Sequence, residues 1–295
     1  YRLFIFWISD IFYCYFLNFP SGAIVVLARV HRCKKGKRQN HEDYIQIIVG
    51  KHEKFIGSYI TFPADTAIEV MKQAGVDFVI LDLEHEQLTM TEVMSMIRTC
   101  DACGMAAMVR VPGWTKPDPQ GSGHGASAIK VPGITNAAEA KLAVALCKYP
   151  PEGVRGACPF TRNNGYGVDR AGCYAKANRE VAVSVIIEGW KGFEIWKKSL
   201  PLRALIPFPS VNRLGRCLGV PGQVFHPKVK QAVLDALPCV SNRQELFCQV
   251  LQPSDAAEFA KCKGISHYHT DFPQYLLYKA YKDLCEGLKS YSVKG

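Results

Sequence analysis

Phe78-Val79-Ile80-Leu81-Asp82-Leu83-Glu84-His85 is an apolar run that ends in two carboxylates and an imidazole. A strand covered on both faces reads as a near-continuous apolar stretch, as parallel strands of α/β proteins do, so charge at its C-terminal end requires a reason. The pattern recurs where Ala107-Met108-Val109 meets Arg110, and where the run from Val181 to Ile187 meets Glu188. Three apolar strands ending in an acid/base group, a cation and a carboxylate describe a site assembled at the C-terminal rim of a parallel sheet.

Outward from this stretch, apolar runs alternate with amphipathic helical segments from about Asp43 onward, the pattern of βα units. Strands are predicted at 56–60, 78–82, 107–111, 128–132, 182–187, 203–207, 245–249 and 265–269. Helices are predicted at 66–75, at 91–103 ahead of Gly104, and at 136–148, where Asn136 and Glu139 have capping-box spacing. A last helix spans 273–289. Eight strands with helices between them predict a TIM (β/α)8 barrel over a doubly wound sheet. The Gly/Pro-rich piece 117–125 stands where the helix between the third and fourth strands belongs.

The 295 residues suit one such barrel of about 250 residues with an extension. With 48% apolar and 21% charged residues the chain is neither disordered nor collagen-like. Of the net charge of +10, residues 1–42 supply half: seven Lys/Arg against Asp10 and Glu42 give +5. That basic run, Arg29 to Arg38, lacks a nucleic-acid recognition fold, so no nucleic-acid partner is expected. The aromatic-rich runs at 4–8 and 11–17 are interrupted by Asp10 and Pro20 before reaching the ~20 apolar residues of a spanning helix. Residues 1–42 therefore read as a poorly ordered extension without a membrane partner, and 43–295 as the barrel domain. Twelve cysteines scattered through apolar elements read as reduced thiols of a cytoplasmic protein. Cys100 and Cys103 have redox-pair spacing, but no second pair or flanking His completes a zinc site, and they read as half-buried thiols at a helix end.

A His beside carboxylates is suited to general-base work near neutral pH, and Arg110 to a bidentate grip on a substrate carboxylate. Glu188, at the end of an apolar strand, requires a metal ion or a cationic partner. Together these groups suggest enolate chemistry beside a 2-keto acid. Each residue also has a purely structural reading, in which Arg110 pairs with Asp82 and Glu188 forms a salt bridge inside the barrel.

The chain resembles the HpcH/HpaI aldolase family of metal-dependent class II aldolases from about Asp43 to Lys289. The resemblance is carried by Asp77 to His85, Met108-Val109-Arg110-Val111-Pro112, Tyr149-Pro150-Pro151-Glu152-Gly153-Val154-Arg155-Gly156, Ala177-Asn178, Ile187-Glu188, and Leu218 to Gln223 with His226-Pro227. It implies a TIM barrel whose last helix is exchanged between subunits of a homo-oligomer, a dimer or a trimer of dimers. It also implies cleavage of a 4-hydroxy-2-keto acid to pyruvate and an aldehyde. By the same resemblance His85 is the base and Asp82 its orienting partner. Arg110 contacts the pyruvate carboxylate, Glu188 ligates Mg, Mn or Co, and Glu84 lies near metal-bound water. Two positions depart from the family. Arg213 stands where the second metal ligand, an Asp, is expected, and Gly123 stands at a supporting Asp. Replacing a ligating carboxylate by a guanidinium sets a positive charge where a divalent ion should bind, which implies an impaired catalyst as the alternative.

Overall fold

The computed structural model of the chain describes residues 3–9, 12–18, 24–30, 55–85, 88–113, 124–188, 205–223, 226–236, 246–249, 265–270 and 272–291. The chain divides into two compact units, Tyr1–Asn40 and His41–Gly295. The first contains three antiparallel strands, β1 (Leu3–Ser9), β2 (Phe12–Asn18) and β3 (Ile24–Val30). Aromatic and β-branched residues favour a pleated backbone over irregular chain. Among the described residues no helix is long and apolar enough to cross a membrane.

The second unit contains eight parallel strands: β4 (Phe55–Ile60), β5 (Phe78–Asp82), β6 (Ala106–Arg110), β7 (Ala128–Ile134), β8 (Ala182–Ile187), β9 (Leu205–Pro209), β10 (Leu246–Gln249) and β11 (Ile265–His269). Their order in the sheet is β10-β11-β4-β5-β6-β7-β8-β9, which follows the chain cyclically. Every predicted strand is present, with β9 two residues later than expected. The ends of the sheet, β9 and β10, lie beside each other without a ladder among the described residues. Prolines supply the reason. The Ser210 N–H donates to Ile187 O at 3.2 Å, so by strand alternation the nitrogens of Pro207 and Pro209 face away from β8, where each lacks a donor.

Two layers of side chains follow the period of two along these strands. Val79, Leu81, Val109, Ile129, Val131, Val183 and Val185 belong to a buried cluster shared with Val93, Met96, Ile97, Ala140 and Val229 of the surrounding helices. Phe55, Tyr59, Phe78, Ile80, Ala106, Met108, Ala128, Ala182 and Ile186 form a separate cluster inside the sheet. Asp82 continues the inner series of β5 and Arg110 that of β6, so both rim groups turn inward. Sheet residues buried on both faces are what the continuous apolar runs required.

The helices are α1 (Asp65–Gln73), α2 (Met90–Cys103), α3 (Ala137–Cys147), α4 (Cys173–Glu180), α5 (Val211–Cys217), α6 (Pro227–Ala236) and α7 (Pro273–Ser290). Thr89 and Glu92 form a full capping box on α2, and Gly104 ends it in the left-handed conformation at φ 68°. Cys100 and Cys103 lie in the last turn of α2, the first buried and the second half-buried, both free thiols. On α3 the Asn136 side chain accepts the Glu139 N–H as expected, while the Glu139 carboxylate reaches one residue further back, to the Thr135 N–H at 2.6 Å.

The segment after α3 shows why its motif has the residues it has. The Asn178 side chain accepts the Tyr149 N–H at 2.7 Å and donates to Tyr149 O at 2.9 Å, so one amide satisfies both backbone groups of a buried residue. Arg155 lies over the Tyr149 ring at 4.4 Å. A Cβ on Gly153 would stand 2.2 Å from Ala145 O and 2.4 Å from Lys148 O, so no side chain fits where this turn crosses the end of α3.

Candidate active site

Strand β5 ends at Asp82 and β6 at Arg110, and the parallel ladder sets these two residues opposite each other. The Arg110 Nε donates to Asp82 Oδ1 at 2.6 Å and its Nη2 to Asp82 Oδ2, a bidentate pair with Asp82 fully buried. The third contact is Arg110 Nη1 with Glu84 Oε2 at 3.2 Å. The guanidinium also lies over the Tyr59 ring, 4.9 Å from its centroid. Burial works against its charge, yet Asp82, Tyr59 and Glu84 hold its pKa above the ordinary value. The bend after β5 is held by the Glu84 N–H, which donates to Asp82 Oδ1 at 2.9 Å.

His85 has a 65% exposed side chain, and its Nδ1 is 3.9 Å from Glu84 Oε2. The expected pairing of Asp82 with His85 is therefore replaced: Asp82 orients Arg110, and Glu84 is the carboxylate beside the imidazole. The cause is strand alternation, which sends Asp82 inward while the chain leaves the sheet before His85. Burial raises the Glu84 carboxyl above its ordinary value against the pull of Arg110 and His85, and Glu188 and Asp82 add to the rise. Glu84 thus stands between the Arg110 side of the rim and the Glu188 side.

Glu188 directly follows β8, its N–H donating to Ile134 O at 2.8 Å. Its side chain is almost wholly buried, and Arg213 Nη1 is 2.9 Å from its Oε2. Arg213 sits in the first turn of α5, where its N–H donates to the capping Ser210 Oγ at 3.4 Å. The departure read from the sequence is thus a physical contact: the guanidinium lies on the one carboxylate expected to ligate metal. Among the described residues no three His, Cys, Asp or Glu side chains converge as a metal site. A divalent cation requires several oxygen ligands and tolerates no fixed positive charge against them, so this donor set does not fit one. Gly123 lies outside the described residues, as does most of the Gly/Pro-rich piece.

Sequence reasoning passed over a polar group of residues beneath this rim. Lys130 on β7 and His267 and His269 on β11 are buried with at most 1% exposure, and Ser184 on β8 is equally enclosed. Lys130 Nζ is 5.4 Å from the Tyr59 ring centroid, sharing that ring with Arg110. Burial, with Arg110 nearby, pushes Lys130 well below the ordinary lysine range. Burial and then Lys130 lower His267 to about 3, and the same causes, opposed by a backbone hydrogen bond at Thr270, lower His269. The signal was present in Ala128-Ile129-Lys130-Val131, a charge inside an apolar strand, and in the alternation of His267 and His269, which turns both to one face.

A model of the family described as HpcH/HpaI aldolase/citrate lyase matches residues 56–197. The hydroxypyruvate/pyruvate aldolase of Sagittula stellata is 30% identical over 186 residues, covering 62% of this chain and 73% of the relative. The 4-hydroxy-2-oxovalerate aldolase of Rhodococcus jostii is 30% identical over 189 residues, covering 62% and 71%. Among solved structures, an HpcH/HpaI aldolase from Desulfitobacterium hafniense superposes with a TM-score of 0.75 at 20% identity, covering 82% of this chain and 95% of that one.

Proposed function

Because the chain belongs to the HpcH/HpaI aldolase/citrate lyase family, we propose that it is a lyase cleaving a 4-hydroxy-2-keto acid to pyruvate and an aldehyde. The observation that carries this reading is the convergence of Arg110, Glu84 and His85 at one rim, with Arg110 kept charged and held by Asp82. Three of the five N–H donors of Arg110 are engaged by Asp82 and Glu84, which leaves two for a substrate carboxylate. His85 is exposed, so its imidazole can take the proton of the substrate's C4 hydroxyl. The C3–C4 bond then breaks, its electron pair passes to C2 and the C2 oxygen, and the aldehyde departs. Protonation of the resulting enolate at C3 gives pyruvate. The Mg, Mn or Co ion implied by resemblance does not fit the donors present, and no step here passes through it.

The expected result is release of pyruvate from a 4-hydroxy-2-keto acid, read with a coupled lactate dehydrogenase assay. His85→Ala should lower the rate by about 10²- to 10⁴-fold, the range of a general base. An unchanged rate in that variant would remove His85 from the mechanism. A second reading, a barrel that keeps the fold without catalysis, is favoured by the Arg213–Glu188 ion pair, and absence of pyruvate release by a folded protein would select it.

The same reading extends to the closed barrel and to assembly. The start of α7 is tied to the sheet through Gln274 to Thr61 and the stacking of Phe272 on Tyr59 at 5.2 Å. Beyond it, Leu277, Tyr278, Tyr281, Leu284 and Leu288 are each more than half exposed. An apolar face of that extent suits burial against a second copy, in line with a helix exchanged between subunits. Sedimentation should give a dimer or hexamer, and Tyr281→Glu with Leu284→Glu should shift it toward monomer; a monomeric native chain contradicts exchange. We also read the protein as cytoplasmic, supported by the free thiols of the described cysteines.

A further inference from the structure

We infer that Arg213 takes the place of the divalent cation, so that this site holds a 2-keto acid and its enolate through two guanidinium groups, with no metal. The inference rests on the lyase reading only for the identity of the ligand. Position is the first argument, because Arg213 Nη1 lies 2.9 Å from Glu188 Oε2, on the carboxylate that resemblance assigns to the metal. Charge is the second. A site with a second Asp and a divalent ion carries −1 + 2 = +1 from those two groups, and Arg213 alone supplies +1. The substitution that abolishes metal ligation therefore leaves the rim's net charge unchanged. The carboxylates Asp82, Glu84 and Glu188 then face two guanidiniums in place of one guanidinium and an ion.

Donor capacity is the third argument. The Arg213 side chain is 56% exposed, and among the described residues its guanidinium has one ion pair, to Glu188, so its five N–H donors keep capacity for a ligand. A planar fork matches the paired oxygens of a 2-keto acid or of its enolate, as a guanidinium matches a carboxylate. Glu188 holds the fork in place through its own backbone bond to Ile134 and its burial. Arg110, on the other side of Glu84, grips the carboxylate end. When the base removes a proton from the methyl group of pyruvate, the C–H electron pair moves to form the C2=C3 bond and the C2 oxygen becomes anionic. Fixed guanidinium donors that reach that oxygen would stabilise it without rearrangement.

The test uses the full-length protein treated with EDTA, with oxalate as a mimic of the pyruvate enolate. Calorimetry should show oxalate binding in EDTA that does not tighten when Mg or Mn replaces the chelator. Deuterium should enter the methyl group of pyruvate under the same conditions, followed by proton NMR. Arg213→Ala should weaken oxalate by about tenfold or more in EDTA, Arg213→Lys should recover part of the loss, and Arg213→Asp should bind only once Mn is supplied. Circular dichroism confirms that each variant is folded. Oxalate binding by the native protein only with added metal, binding in EDTA unaffected by Arg213→Ala, or no binding under either condition each overturns the inference. The two readings separate cleanly. Metal-free oxalate binding without cleavage of any 4-hydroxy-2-keto acid defeats the lyase reading alone, and pyruvate release that needs added Mn defeats this inference alone.

Discussion

Arg110→Ala is expected to lose both activity and stability, each by a large margin. Removing the guanidinium leaves Asp82 fully buried without its charge partner, and breaking a buried pair from one side costs about 3–5 kcal/mol. The Glu84 N–H still donates to Asp82 at 2.9 Å, a single neutral donor that is too little by itself to hold a charge in that position. Loss of the carboxylate grip should separately lower kcat/KM by about 10²- to 10³-fold, the scale of a truncated charge-assisted contact. The double variant Asp82→Asn with Arg110→Met separates the two effects, because it removes both charges and keeps the volume. Its urea midpoint should return most of the way to the native value while pyruvate release stays lost. If Arg110→Ala unfolds at the native midpoint, the ion pair contributes nothing to the fold and the bidentate geometry is incidental.

Acidification should destabilise the protein through His267. In the folded chain its pKa is lowered from 6.5 to about 3 by burial first and by Lys130 second. The unfolded chain therefore binds the proton at a higher pH than the folded one. Stability from this group is fully present above pH 6.5 and is lost as pH falls toward 3. Between about pH 7 and pH 4 the loss is roughly 3 kcal/mol at 1.36 kcal/mol per pH unit. His269, lowered for the same reasons, adds to it with the same sign. The His267 ring lies 5.4 Å from Phe55 and 5.9 Å from Phe78, with no room for a hydration shell when charged. The urea midpoint measured across this range checks the sign, and His267→Gln should flatten the curve. An equal slope in that variant would assign the acid sensitivity to the carboxylates instead.

The strands were legible because burial on both faces writes itself into composition. Val79 and Leu81 face the helices while Phe78 and Ile80 face the interior, and both sets must be apolar. The shift of β9 from 203–207 to 205–209 has a local cause: Pro207 and Pro209 argue against a strand, yet this strand bonds on one side only among the described residues. Aromatic runs broken by Asp10 and Pro20 look like failed membrane helices, whereas pairing of β1, β2 and β3 is a property of three segments together.

At the rim, sequence identified the residues and left their partners open. Asp82, Glu84, His85, Arg110 and Glu188 stand out as charges after apolar runs, and position 213 as a family departure. Which carboxylate Arg110 would take was not decidable from spacing, since Asp82 and Arg110 are joined only through the parallel register of β5 and β6. Likewise Arg213 meets Glu188 because α5 begins directly after β9, which pairs with β8. The local signals of Lys130, His267 and His269, a charge inside an apolar strand and two alternating imidazoles, give the strand face of each residue, and only the assembled sheet shows that all three are buried.

The sequence by itself determined the eight-strand parallel architecture and the rim on which charge collects, because side-chain period and apolar content are local and one-dimensional. Tertiary structure alone decided that Asp82 orients Arg110 and leaves His85 to Glu84, that a guanidinium sits on Glu188, and that neutral imidazoles and a depressed lysine line the interior. Those outcomes depend on cross-strand register and on exclusion of water, and neither exists until the sheet has curled.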